Sequence, residues 1–216
     1  MTPDYNNAAT MAAKTLVKYN VRSAPLSPLR ILEQMDNVIV VSFSEMSDMA
    51  GIDRSALIPM FGKNRDAITS IHTENGTKTY IVAYNRLLPF AMVQRALARE
   101  MAHIVLRHSG DNDAEKEEAT CFEFHLLCPR PLIHAVQATG MRVTVDLLAN
   151  LTGIYDQSLV CMRHLPGTDV PANLNRLVWN QFAPFFLNYF EFYRTVKPQD
   201  GSAVADLGSY MDSYQQ

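Results

Sequence analysis

The chain has 216 residues, of which 48% are hydrophobic, so it is long enough to bury a substantial core. Its formal net charge is −3, and its 19 Lys and Arg are mixed with 22 Asp and Glu, so no run of one sign favours nucleic acid as a partner. No stretch has the composition of a signal peptide or a transmembrane helix, so we expect a cytoplasmic protein without membrane contact.

The N-terminal half predicts helices followed by strands. Apolar residues at helical spacing predict a helix from Asn7 to Tyr19 and a shorter one from Leu29 to Gln34. The β-branched, apolar run from Val38 to Phe43 predicts a buried strand. Two strand-like runs within 67–84 flank Asn75-Gly76, a pair that favours a tight hairpin turn. Helices mixed with a small sheet predict an α+β fold.

Two central helices follow the hairpin. The first is predicted from about Pro89 to His108, because Gly110 just beyond it can end a helix. The second is predicted from Asn112, which forms a capping box with Glu115, to about residue 128, before Pro129. The apolar stripe of the first helix comprises Phe90, Val93, Leu97, Met101, Ile104 and Val105.

The C-terminal third predicts further helices. Their ranges are 131–138, 143–151, 156–164 and an aromatic-rich 174–196 interrupted at Pro184, followed by a polar tail. The helical spacing of its aromatic residues predicts a stripe that packs in the core, with any exposed part as a surface for a partner or second copy. The stripe comprises Trp179, Phe182, Phe185, Phe186, Tyr189, Phe190 and Tyr193.

The first central helix contains a partial metallopeptidase motif. Zincins place two histidines four residues apart on one helix face, and a glutamate after the first histidine acts as general base. Here Glu100 and His103 keep that spacing, but Arg99 stands where the first histidine belongs.

The surrounding residues strengthen the pattern. The segment 97–108 resembles the Leu-Ala-His-Glu-Leu-Gly-His helix of the ImmA/IrrE family of zinc metallopeptidases. The next helix resembles the family's Glu-Ala-Asn-x-Phe-Ala-x-x-Leu-Leu-x-Pro segment through Glu118, Ala119, Phe122, Leu126, Leu127, Cys128 and Pro129.

This resemblance implies a zincin-like domain over residues 1–165, including a helical subdomain at 131–165, and a C-terminal extension over 166–216. It also implies Zn²⁺ as cofactor, Glu100 as general base, His103 and Glu118 as metal ligands, and a helix-turn-helix repressor as protein partner, in regulation of prophages or other mobile elements.

Arg99 conflicts with an ordinary zinc site. A guanidinium offers only donors, and two remaining ligands bind zinc more weakly than the usual three. We expect Arg99 to point into the pocket and pair with Glu118 or Glu100, which predicts a weak or inactive peptidase that binds a protein partner. An active endopeptidase that cleaves a repressor is the alternative.

Other side chains offer less. Cys121 lies on the same helix face as Glu118 and is either a replacement ligand or a buried thiol. The buried thiol is favoured, because three cysteines cannot all form disulfides with one another. His125 is interpreted as a histidine on the helix face whose side chain can line the groove but not bind the ion together with Glu118. His108 is interpreted as a capping or surface residue. The sequence leaves open whether Glu117 or Glu118 faces the site.

A DNA-binding segment is a further alternative. Residues 147–163 place Ala149, Gly153 and Leu159 at helix-turn-helix positions, but Arg163 is the only fixed positive charge of the second helix. A packed helical subdomain is the preferred interpretation, and nucleic acid is not expected as a partner.

Overall fold

The computed structural model describes residues 2–53, 56, 66–110, 112–138, 148–149, 152–154 and 167–196. Contacts between Cα atoms divide the chain into two compact units, one of residues 1–3 and 27–123 and one of residues 4–26 and 124–216. The described residues form seven helices and one three-stranded mixed sheet, which confirms the predicted α+β class.

The elements, in chain order, are α1 (Tyr5–Lys18), α2 (Pro28–Leu32), β1 (Val38–Ser42), α3 (Phe43–Ala50), β2 (Ala67–Glu74), β3 (Thr77–Tyr84), α4 (Phe90–Val105), α5 (Asp113–Leu127), α6 (Arg130–Ala138) and α7 (Ala172–Val196). None of the helices in this described part of the chain is long and apolar enough to cross a membrane.

The sheet of the first unit has the strand order β1-β3-β2. Strand β1 runs parallel to β3, whereas β2 and β3 form the predicted antiparallel hairpin. Asn75 and Gly76 have φ angles of 50° and 79°, as a type I′ turn requires, and they confirm the turn predicted from Asn-Gly. Helix α4 packs against β2 and β3.

Some local predictions in this unit are wrong. Phe43 begins α3 rather than ending β1, because Ser42 and Glu45 form a capping box: the Ser42 amide donates to Glu45 Oε2 at 2.6 Å, and the Glu45 amide donates to Ser42 Oγ at 3.2 Å. Strand β1 is also not buried as predicted, since Ile39 is 49% exposed. Within the apolar stripe of α4, Leu97 and Met101 are fully buried, whereas Phe90 is 57% exposed.

In the second unit, α1 and α6 both pack against α7. Of the predicted aromatic stripe of α7, Trp179, Phe182 and Phe186 are buried, whereas Phe185 and Tyr189 are half-buried. The predicted interruption is wrong, because α7 continues through Pro184. The predicted helices at 143–151 and 156–164 lie largely outside the described residues, as do the boundary at 165 and the polar tail.

Candidate functional site

A cleft of about 260 Å³ lies between β2 and α4 in the first unit. Its lining residues are Ile68, Thr69, Ile71, Tyr80, Glu100, His103, Ile104, His108, Ser109 and Gly110. The cleft therefore brings together two of the predicted site residues, Glu100 and His103, and adds His108.

Glu100 is held by the hairpin. Thr69 Oγ1 donates a hydrogen bond to Glu100 Oε2 at 2.6 Å, which ties the predicted general base on α4 to strand β2. A charge-assisted hydrogen bond of this length restricts the carboxylate to one orientation.

Arg99 pairs with neither of its predicted partners. Its Nε donates to Glu123 Oε2 at 2.5 Å, and Arg95 Nε donates to Glu123 Oε1 at 3.1 Å. The Glu123 side chain is fully buried, and burial raises the pKa of its carboxyl while the two arginines oppose that rise. The expected pairing of Arg99 with Glu118 or Glu100 is therefore corrected to Glu123, and Arg99 does not line the cleft.

The direction of the helices explains this correction. His108, near the loop that joins the two helices, pairs with Glu118. Arg99, farther from that loop on α4, pairs with Glu123, which is also farther from it on α5. Such pairing is that of an antiparallel helical hairpin. Arg99 precedes His103 by one helical turn, so its partner on α5 must lie farther along the helix than Glu118.

His108 returns to the site through the end of α4. Arg107 adopts a left-handed φ of 59°, its amide donates to the Ile104 carbonyl at 3.3 Å, and the His108 amide donates to the His103 carbonyl at 3.0 Å. These two bonds define a Schellman motif, in which the residue after the left-handed position packs on the third-last helical residue. Here those two residues are His108 and His103.

The amide of His108 caps α4, as expected, but the expectation of a surface side chain is wrong. Its side chain is 5% exposed and links two other side chains. Nδ1 of His108 lies 2.9 Å from Nδ1 of His103, and Nε2 of His108 donates to Glu118 Oε2 at 3.0 Å. Glu118, whose side chain is 15% exposed, thus faces the site, whereas Glu117 is exposed.

Glu115 fastens the loop between the two helices. It accepts hydrogen bonds from the Ser109 amide at 3.0 Å and from Asn112 Nδ2 at 2.8 Å, and its own amide donates to Asn112 Oδ1, completing the predicted cap. Burial raises the pKa of Glu115, but the hydrogen bonds and the charges of His108 and His103 together lower it below its ordinary value.

The remaining candidates do not line the cleft. Cys121 is buried, and burial, aided by the negative charge of Glu118, raises the pKa of its thiol to about 12. His125 is buried in the second unit, where its Nε2 lies 2.8 Å from Thr168 Oγ1, so the idea that it lines the groove is not supported. A further histidine of this unit, His72 on β2, has a side chain that is 65% exposed.

The donor set does not fit a three-ligand zinc site. The guanidinium of Arg99 has no lone pair and is bound to Glu123, and an imidazole ring stands between His103 and Glu118. A shared zinc ion requires both ligand atoms about 2.0–2.2 Å from one point. Within the described residues, no three His, Cys, Asp or Glu side chains are arranged to hold a metal ion.

No signal in the metallopeptidase motif identified Glu123 or His108. An available signal for Glu123 was an acidic residue within the mainly apolar segment 121–127, together with two arginines four residues apart on the preceding helix. The helix-turn-helix candidate at 147–163 lies mostly outside the described residues. No family model matches the chain, and comparisons with curated proteins and with solved structures found no match.

Proposed function

We propose that the protein is a zincin-like domain, related to the ImmA/IrrE peptidases, that binds an extended segment of a protein partner and hydrolyses it weakly or not at all. One observation carries this proposal: Arg99 is bound to Glu123, while Glu100 and His103 still line the cleft. A helix-turn-helix repressor is the partner that the resemblance implies.

Binding of an extended segment is supported by the cleft's wall. Among the described strands, β2 pairs only with β3, so its other edge offers backbone donors and acceptors to a further strand. Ile71, which is 53% exposed, and Ile68 add apolar surface beside that edge. A peptide paired with β2 would lie alongside Glu100 and His103.

Weak hydrolysis is supported by the donor set. Zinc would supply an activated water, and that chemistry normally needs three protein ligands. Glu100 retains the position of a base, but His103 and Glu118 are joined through His108 rather than directed at one point. The chain's own residues therefore favour retention of a bound segment over its cleavage.

Peptide binding is tested with peptides selected on the full chain from a random phage-displayed library. Ile71→Asp is expected to weaken binding of a selected peptide about tenfold or more, because a charge replaces an apolar contact. Ile39→Asp is the matched control, since Ile39 is 49% exposed on β1, the opposite edge strand. Equal losses in both variants, or no binding peptide, would contradict the proposal.

Hydrolysis is tested separately on a quenched fluorogenic peptide of the selected sequence. Protein purified without chelators should contain far less than one zinc per chain and should show no cleavage that Glu100→Gln abolishes. Stoichiometric zinc together with cleavage that depends on Glu100 would instead establish the alternative, an active endopeptidase.

A further inference from the structure

Two ligands that the resemblance assigns to zinc, His103 and Glu118, lie on opposite sides of His108. Nδ1 of His103 is 2.9 Å from Nδ1 of His108, and the other nitrogen of that ring is 3.0 Å from Glu118 Oε2. The ring of His108 thus takes the place between the two side chains that an ion would need.

The backbone holds this ring in place. The left-handed residue Arg107 and the amide of His108, bonded to the His103 carbonyl, fix where the His108 side chain begins. Burial of the side chain, which is 5% exposed, and contacts at both ring nitrogens fix the position of the imidazole ring. Moving the ring away would require breaking both contacts or undoing the end of α4.

Arg99 is a separate departure from the zinc site. Its side chain is bound to Glu123 and does not line the cleft. Replacing it with histidine would add a nitrogen donor but would leave the His108 ring between His103 and Glu118.

We propose that this chain has lost its metal site at two positions, and that His108, rather than Arg99 alone, prevents His103 and Glu118 from sharing a zinc ion. The inference rests on the proposed zincin-like cleft. It makes His108 a positioning residue that replaces an ion by a hydrogen-bonded bridge between α5 and the end of α4.

The test compares zinc binding by the full-length Arg99→His, His108→Ala and double variants, with zinc alone as the probe. Metal content after dialysis and the zinc-induced shift in Tm are the two measurements. The double variant should bind zinc about tenfold or more tightly than Arg99→His. His108→Asn replaces His108→Ala if the latter fails to fold, and Arg99→His with His72→Ala is the control for loss of an exposed histidine.

Three results would overturn the inference. Stoichiometric zinc on Arg99→His alone would show that the His108 ring is no obstacle. A folded double variant that binds no more tightly than Arg99→His would show the same, and zinc on the unaltered protein that is lost in His108→Ala would make His108 a ligand. Failure of the peptide selection would sink the proposed function but leave these comparisons unchanged.

Discussion

Arg99 donates through Nε to Glu123 at 2.5 Å, and it shares that fully buried carboxylate with Arg95. Arg99, which departs from the zincin motif, therefore belongs to an ion-pair cluster between α4 and α5 that also contains Arg95 and Glu123. The cluster links α4 to α5 in the helical hairpin that carries the cleft.

Removing both arginines should cost more than removing either. The double variant Arg95→Ala, Arg99→Ala leaves a buried carboxylate without a counter-ion, and it should lower the free energy of unfolding by about 3 kcal/mol. Arg99→Ala or Arg95→Ala alone should each cost about 1 kcal/mol, because the other arginine remains bound to Glu123. Urea unfolding measures these losses, and Lys116→Ala, which breaks an exposed pair, should stay within about 0.5 kcal/mol. An additive double variant would contradict the shared carboxylate.

Thr69→Val should destabilise the first unit. It preserves the shape of Thr69 but removes the donor to Glu100 Oε2, and a lost hydrogen bond to a charged group costs about 1.5–3 kcal/mol. Thr69→Ser should restore most of that loss, and Thr73→Val, on the exposed end of the same strand, should change little. The midpoint of urea unfolding measures each variant. Equal stability of the two valine variants would refute the bond.

Glu115 should make stability depend on pH in the acid range. Its pKa in the folded protein lies below the ordinary value of 4.5, so its contribution is present above that value and is lost as the pH falls through the folded pKa. The stability difference between the unaltered protein and Glu115→Gln should shrink as the pH falls below about 4.5. Unfolding free energies across this range measure it, with the exposed Glu117→Gln as control. A difference that grows on acidification would reverse the assigned sign.

Cys121 should resist alkylation in the folded protein. With a pKa of about 12, only on the order of one thiol in 10⁴ is a thiolate at pH 8. Peptide mapping after brief treatment with iodoacetamide should find Cys121 unlabelled in the native protein and labelled in urea. Cys121→Ala identifies the labelled peptide. Rapid native labelling would revive Cys121 as a reactive thiol or metal ligand.

Arg107→Gly should stabilise the protein. Arg107 has a φ of 59°, a conformation that costs a residue with a side chain about 1–2 kcal/mol, of which glycine's greater freedom in the unfolded chain offsets part. The expected net gain is about 0.5 kcal/mol, whereas Arg107→Val should lose stability because β-branched residues tolerate this conformation least. Thermal unfolding compares the three proteins, and a stabilising valine would contradict the left-handed turn.

The local elements of this protein were predictable because their causes lie within a few residues. Asn75-Gly76 accepts the two positive φ angles of its turn, and Asn112 with Glu115 starts α5 by a cap that both residues complete. The buried aromatic stripe of α7 followed from periodicity alone. Phe43 and Pro184 show the limits of such rules. A capping box makes Phe43 the first residue of a helix instead of the last of a strand, and the last helix continues through Pro184.

The site itself depended on contacts between elements. The sequence by itself determined that Glu100 and His103 share one helix, since helical spacing needs only neighbouring residues. Only the tertiary structure decided that Arg99 binds Glu123, because the register of two antiparallel helices sets that partner. It likewise placed His108 between His103 and Glu118, because a left-handed turn at Arg107 reverses the direction that helical spacing predicts.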